Sequence, residues 1–425
     1  MHFNQLKKAK KILIYGYGAE GKSSEKFLRH FFPEASLQIF DEQIPTYTGE
    51  SFNQNYDLIV VSPGVARSEK IPEEFWNRCT SNTEIFFHNI SPDQRKKIIG
   101  ISGTKGKSTT SGFCLEMLHH AGKTARVAGN FGVPLLEVYE EFISGKIEYL
   151  VVELSSFQLE HLDVSPGISI FLNLFPDHLD RHRTIEVYFK AKKNLWAHQE
   201  KEDFLILCES MRLFYFSGKL GTINSQVSVA SSIEKDVFAG DSVFRATHFR
   251  ENFGTMIQLS EILDLPERSF LQTVHSFQGL PHRMEFFVQK HDIRFYDDAI
   301  AVNPDSVRAA VDFFGEELGM LILGGKSGGG SFQTLFEKVK PLSNTKIIVL
   351  ESEAGKEILS EIKKQKFPEN RFFVVKNLEE AVPLIFMNTV KDKVCLLSPG
   401  AKSYDQFKNF QEKGNHFKAL IKQYE

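Results

Sequence analysis

The sequence predicts an α/β protein, and three observations carry that expectation. Short apolar runs recur along the whole chain, separated by helical stretches, the pattern of parallel sheets with helices packed on their faces. Two glycine-rich loops of phosphate-binding type each follow one of these runs directly. The length of 425 residues suggests about three domains. The expected architecture is a Rossmann-like N-terminal domain over residues 1–90, a central P-loop ATPase-like domain with a parallel sheet over 91–280, and a C-terminal Rossmann-like α/β domain over 281–425.

In the first block, runs at Ile12–Tyr15, Leu37–Phe40 and Leu58–Val61 read as strands, with a helix over Ser23–Phe32. The first run ends in Gly16-Tyr17-Gly18-Ala19-Glu20-Gly21, and the second ends at Asp41, about 20 residues on. That is the strand, glycine turn, helix, strand and acid order of a dinucleotide-type half, whose glycines let a diphosphate approach a helix N-terminus. The second block begins near Ser91-Pro92, with runs at Ile98–Ile101, Leu150–Leu154, Ile168–Leu174 and Phe204–Leu207. A helix is expected over Thr109–Leu118, and Ser217–Asp241 reads as a polar, aperiodic excursion. After a boundary near Gly279-Leu280-Pro281, the third block carries runs at Ile293–Tyr296, Met320–Leu323, Ile347–Leu350, Phe372–Val375 and Val394–Leu397. Ligands of such sheets sit at the carboxyl ends of the strands, where all the distinctive motifs lie.

Composition excludes several classes. A formal charge of −3 argues against a nucleic-acid binder, which shows a basic excess. No apolar run reaches 18 residues, so no membrane span is expected, and the stretch after the basic Lys7–Lys11 segment is too short for a signal peptide. The expectation is a cytoplasmic protein. Cys79, Cys114, Cys208 and Cys395 are scattered, with no C-x-x-C pair, and read as buried free thiols. The 39 phenylalanines read as core filling.

The two glycine loops compete for a nucleotide. Gly16 to Ser23 meets the general P-loop spacing, whereas Gly103-Thr104-Lys105-Gly106-Lys107-Ser108-Thr109 is two residues too short for it. The second loop is favoured because phosphoryl transfer needs a divalent metal beside the phosphate cradle. Its block supplies candidates in Glu153-Leu154-Ser155-Ser156-Phe157-Gln158 and Asp177-His178-Leu179-Asp180-Arg181. Magnesium prefers oxygen, which suits Glu153 more directly than His178. Asp180 reads better as a helix cap.

Taken together, these motifs resemble the Mur ligases. The resemblance rests on Gly103–Thr109, Gly129-Asn130-Phe131-Gly132-Val133-Pro134, Glu153–Glu160, Asp177–Arg181, Gly279-Leu-Pro-His-Arg-Met-Glu285 and Leu397–Phe410, in order through all three blocks. It implies that Ala19, Glu20, Asp41, Glu42, Ser62, Pro63 and Gly64 hold the uridine diphosphate of a UDP-N-acetylmuramoyl-L-alanine substrate. It implies ATP on the Gly103–Thr109 loop, with Lys107 and Ser108 on the phosphates, Asn252 at the adenine, and Arg283 and Asp298 closing over the nucleotide. Asn130, Ser155 and His178 match positions near the muramoyl-alanine carboxylate and the metals. Two magnesium ions would be held by Ser108, Glu153, His178 and a carbamate formed from carbon dioxide on Lys192, with Lys107, Glu153, His178 and Lys192 as the catalytic set. Read from its surroundings alone, Lys192 belongs to a solvated helix face with Lys190 and Lys193. Ser403, Tyr404 and Phe410 match the side that receives D-glutamate, and the partners implied are small molecules, with a monomeric protein.

The implied reaction is formation of an acyl phosphate from ATP, followed by attack of the amino group. The resemblance has gaps on the amino-acid side. Where the family commonly reads Asp-Ser-Lys-Ala-Thr, this chain has Asp298-Ala299-Ile300-Ala301-Val302, and a family lysine is replaced by Gly328, with Lys326 nearby. Ligation of another amino acid such as L-glutamate is the alternative within the class. An NAD-binding oxidoreductase built on the Gly16–Gly21 loop is the alternative outside it.

Overall fold

The computed structural model of the protein describes residues 3–42, 44, 56–233, 247–277, 279–328 and 330–425. Within it the chain forms two compact units, Met1–Phe277 and Gln278–Glu425. The first unit contains two sheets. One takes the order β2-β1-β3-β4, from β1 (Lys11–Tyr15), β2 (Ser36–Phe40), β3 (Leu58–Val61) and β4 (Cys79–Thr80), all parallel. The other takes the order β10-β9-β8-β5-β7-β6. Its members are β5 (Ile98–Ser102), β6 (Ala125–Gly129), β7 (Tyr149–Glu153), β8 (Ile168–Phe171), β9 (Phe204–Leu207) and β10 (Gln226–Val229), again all parallel.

The central strands β3, β5 and β8 are buried at every position, as continuous apolar runs with both faces covered should be. A single apolar core joins the two sheets of this unit, running from Ile14 and Val60 through Phe86 to Leu136, Phe142 and Val152. Phe86 bridges it, its ring 6.0 Å from those of Tyr139 and Phe142. Part of the high phenylalanine content is spent in this aromatic layer, and all four cysteines are free and buried, as expected. No helix of the described residues is long and apolar enough to cross a membrane.

The second unit is one sheet of order β11-β12-β16-β13-β14-β15. Its strands are β11 (Glu285–Lys290), β12 (Ile293–Asp297), β13 (Leu318–Leu323), β14 (Lys346–Leu350), β15 (Phe372–Val375) and β16 (Val394–Leu397). All pairs are parallel except β11 with β12.

The predicted strand runs are present, with ends moved by a few residues. Strand β8 stops at Phe171 instead of Leu174, because Asn173 turns away to bond the Gly103 loop. The helices begin earlier than predicted, at Ala19 and Lys107, directly on the two glycine turns. Strands β4, β6, β10 and β11 were not predicted. Of these, β10 lies inside the stretch read as an excursion, whose residues 234–241 fall outside the described residues.

Candidate active site

The Gly103–Thr109 loop leaves β5 and opens the helix Lys107–His120 (α1). Gly103 and Gly106 have φ of 151° and 84°, values that an L side chain rarely adopts. Space is also tight at Gly103 and closed at Gly106. A Cβ on Gly103 would lie 3.0 Å from Leu172 Cβ, and one on Gly106 would overlap Asn252 Nδ2. Asn173 staples the loop: its Oδ1 accepts from the N–H of Thr104 (3.1 Å) and Lys105 (2.8 Å), and its Nδ2 donates to Lys105 O (3.0 Å). Thr104 also meets the Tyr188 hydroxyl at 3.2 Å. The sequence reading missed Asn173, although a lone asparagine at a strand end beside acids was the available signal.

Two lysines converge on this loop. Lys107 Nζ donates to the carbonyls of Gly103 (3.1 Å) and Thr104 (3.0 Å). Lys192 Nζ donates to Gly103 O (2.8 Å) and Ser102 Oγ (3.4 Å) and lies over the Tyr188 ring. Lys192 is only 1% exposed, which corrects the solvated-face reading. Burial, reinforced by the charge of Lys107, holds its pKa well below that of an ordinary lysine. Lys190 and Lys193 lie beside it on the same helix, Ile185–Lys193.

Glu153 closes β7, which pairs with β5 on one side and β6 on the other. It is 1% exposed. Oε1 accepts from Asn130 Nδ2 at 2.7 Å, and Oε2 is buried with no hydrogen-bond partner. A buried, unpartnered carboxylate oxygen is costly unless something binds it, and a hard cation is the natural occupant. The residues therefore fit magnesium. His178 is placed differently from Glu153 and Lys192, on an exposed turn with φ of 52°, 3.9 Å from Asp177 and against the Phe157 ring. Asp177 lies 3.8 Å from Lys105. The helix Leu179–His182 has no side-chain cap, so the capping role expected of Asp180 is corrected: Asp180 lies in the first helical turn, and Asp177 bonds the His178 N–H.

The other glycine loop opens a cavity of about 610 Å³. Ala19, Glu20, Asp41, Glu42, Ser62, Pro63 and Gly64 all line it. Asp41 accepts from Tyr17 N at 2.6 Å, and Glu42 from the Tyr15 hydroxyl and Lys70. Those two hydrogen bonds hold the Glu42 carboxyl below its usual range. Burial raises Glu20 to about 7, against a hydrogen bond from Gln158 Nε2 (2.7 Å) that partly offsets it. Gln158 in turn forms a capping box with Ser155. The cavity wall and the segment after Glu153 are thus joined through Ser155, Gln158 and Glu20.

Asn252 is buried on the helix Thr247–Ile262 (α2), with Nδ2 facing Gly106 and lacking a partner. In the second unit, Asp298 follows β12 and accepts from Ser398 Oγ (2.7 Å) and Met284 N (3.2 Å). Burial raises it to about 7, although the Arg283 charge works the other way. Ser403 is buried, Tyr404 is 66% exposed, and Phe410 packs half-buried with its ring 5.9 Å from His282. Among the described residues, one trio of imidazole and carboxylates has metal-binding spacing: His282, Glu285 and Asp297. Lys418 Nζ already sits 2.8 Å from Glu285 and 3.6 Å from Asp297, so the trio reads as a braced ion-pair network.

Comparison with known proteins decides the family. Residues 101–270 match the Mur ligase middle domain, and residues 282–400 match the Mur ligase glutamate ligase domain. A UDP-N-acetylmuramoylalanine–D-glutamate ligase of Caldanaerobacter subterraneus is 30% identical, over 97% of this chain and 98% of its own. The chain belongs to the Mur ligase family. Enzymes with that same name from Fusobacterium nucleatum and Bdellovibrio bacteriovorus are each 29% identical to this Mur ligase over 97% and 98% of its length, and over 99% and 98% of theirs. Solved structures agree on the fold. A MurF ligase of Thermotoga maritima in complex with ADP superposes with a TM-score of 0.56 at 13% identity, covering 99% of this chain and 98% of its own. A UDP-N-acetylmuramate–alanine ligase of the same organism gives 0.54 at 17%, covering 97% and 99%. This Mur ligase is accordingly an ATP-dependent enzyme that forms amide bonds. The oxidoreductase alternative built on the Gly16–Gly21 loop falls with that membership.

Proposed function

We propose that this Mur ligase joins D-glutamate to UDP-N-acetylmuramoyl-L-alanine, a step of peptidoglycan precursor synthesis carried out in a bacterial cytoplasm. The end-to-end likeness to ligases of that name supports the substrates. The observation that carries the chemistry is the convergence at the ends of β5 and β7. The glycine loop after β5, an unpartnered Glu153 oxygen at the end of β7 and the buried Lys192 amine bonded to Gly103 O meet at one end of the same sheet. We assign residues 1–90 to the nucleotide-sugar, 91–280 to ATP and 281–425 to the amino acid.

A carboxylate does not acylate an amine, because oxide is too poor a leaving group. Transfer of the γ-phosphoryl of ATP to the L-alanine carboxylate makes an acyl phosphate and ADP, and the glutamate amine then displaces phosphate. The Lys107 ammonium and the amides at the start of α1 hold the phosphates, and Asn173, which accepts the Thr104 and Lys105 amides, keeps the loop in that shape. Ser108, Glu153 and His178 would hold magnesium, which supplies charge neutralisation on the phosphoryl oxygens. Lys192, shut from water and beside a second cation, gives up its proton more readily than an ordinary lysine. Once its ammonium has lost one proton, the amine can add to the carbon of carbon dioxide and release a second, so that a buried cation becomes a carbamate whose oxygens could serve as ligands. Asn252 bears on the loop from α2, and Arg283 and Asp298 are assigned to the nucleotide.

The test is ATP-dependent phosphate release with UDP-N-acetylmuramoyl-L-alanine and magnesium, run with D-glutamate and L-glutamate in parallel. Release with D-glutamate supports the proposal; release only with another amino acid moves the specificity and keeps the ligase.

A further inference from the structure

Two lysines of the second unit stand at the ends of adjacent strands with no countercharge among the described residues. Lys326 follows β13 through Gly324-Gly325, and Lys402 follows β16. Their backbones pair as an isolated antiparallel bridge, Lys326 N–H to Lys402 O at 2.7 Å and Lys402 N–H to Lys326 O at 3.0 Å. Residues directly opposite in such a bridge send their side chains to the same face, and two like charges there repel. Among the described residues, neither ammonium has an ion-pair or hydrogen-bond partner, and both residues are exposed.

The stem of Lys402 has a defined course. A Cβ on Gly328 would lie 3.7 Å from Lys402 Cε, 3.9 Å from its Cγ and 3.6 Å from Val302 O. Lys402 therefore runs across the bare face of Gly328, in the space a side chain from that position would enter. The next residue, Ser403, is 3% exposed, and its hydroxyl has no partner. A pair of like charges on one face, at the carboxyl ends of parallel strands and one residue from a buried hydroxyl in sequence, favours an anion between them. The domain concerned matches one described as a glutamate ligase domain.

We infer that Lys402, with Lys326 beside it, binds the side-chain carboxylate of the incoming amino acid and sets the preference of this enzyme for an acidic one. The inference rests on the proposed ligase reaction, and Lys402 supplies from a different strand end the charge that Ile300 and Gly328 do not carry.

The test compares Lys402→Ala, Lys326→Ala and the double variant Lys402→Ala with Gly328→Lys. The φ of Gly328 lies outside the left-handed range and a Cβ there would meet no atom closer than 3.6 Å, so the position can accept a lysine. Loss of a charge-assisted contact should raise the KM for glutamate roughly 10- to 100-fold in Lys402→Ala, with the KM for ATP unchanged. The preference for glutamate over glutamine should shrink with it, and Gly328→Lys should restore part of both. An unchanged KM in both single variants, or a wild-type enzyme that uses glutamine as well as glutamate, overturns the inference and leaves the ligase standing. If no amino acid supports phosphate release, the ligase proposal fails, and the lysines are then judged by labelling. The intact protein is treated with an amine-reactive ester and read by peptide mass spectrometry, with glutamate or glutamine as protectant. Protection of Lys326 and Lys402 by glutamate alone sustains the site; equal protection by both, or by neither, ends it.

Discussion

Replacing Lys192 by methionine keeps the side chain's length and removes its nitrogen, and the structure gives the two consequences different signs. Stability is set by what the nitrogen holds. Lys192 Nζ bonds Gly103 O at 2.8 Å and Ser102 Oγ at 3.4 Å, worth about 1 kcal/mol each at most. Neither partner is orphaned by the change, because Gly103 O also receives Lys107 Nζ and Ser102 Oγ donates to Leu154 O at 2.7 Å. Against that loss stands the cost of keeping an amine in a site that is 1% exposed, on the order of 1–3 kcal/mol. The net change should lie within roughly 2 kcal/mol of zero, a Tm shift of a few degrees either way.

Activity should behave otherwise. If the amine becomes an oxygen ligand, its removal should lower phosphate release by roughly 100- to 1,000-fold, and short carboxylic acids should return part of it. The titration adds a second reading. The folded pKa lies well below the unfolded value of 10.5, so between the two the unfolded chain binds more protons and stability rises with pH. In carbon-dioxide-free buffer, urea unfolding of the wild type should show that slope above neutrality, and Lys192→Met should be flatter by up to one proton. A variant that melts more than about 10 °C early would make Lys192 a structural prop. A variant that keeps a tenth of the wild-type rate would remove it from the chemistry.

Other perturbations follow the same logic. Glu153→Gln keeps an oxygen for Asn130 but puts an amide where a cation should bind, so phosphate release should fall by about 100-fold and the magnesium requirement should rise; full activity in a magnesium titration would refute the assignment. Gly106→Ala must hold φ near 84° at a cost of about 1–2 kcal/mol and push Asn252 aside, so ATP affinity by calorimetry should drop at least tenfold. Glu20 is raised to about 7 from 4.5, so the folded state binds the extra proton and stability falls as pH climbs through that window. Glu20→Gln should cancel that fall and be more stable above pH 7 by up to about 3 kcal/mol in urea unfolding. Asp203 is 1% exposed and takes both arms of Arg95, at 2.8 and 3.0 Å; Asp203→Ala should cost about 3–5 kcal/mol, and a loss under 1 kcal/mol would mean the site relaxes around the unpaired guanidinium.

What the sequence made legible, and what it hid, divides by the range of the interaction. Strands β3, β5 and β13 were visible because a strand covered on both faces must be apolar at every position. Strands β10 and β11 were not, because both are only partly buried and carry Ser, Gln and Glu among their apolar residues, so no clean period survives. The phosphate loop was visible because its lysine, serine and glycines act within seven consecutive residues. Asn173 was hidden because it acts on a loop 69 residues earlier in the chain. Lys192 shows the contrast most sharply. Its neighbours Lys190 and Lys193 make the local sequence read as a solvated face, and only the turn of its helix onto β5 shuts this one amine from water. Lys402 is the converse, a lysine that local sequence gives no reason to notice. It gains meaning only when the chain folds its stem over a glycine 74 residues away in number and side-chain contact away in space. Motif matching finds residues that keep their place in the chain. When a charge moves to another strand end, the place to look is the space left bare, and Gly328 marks it.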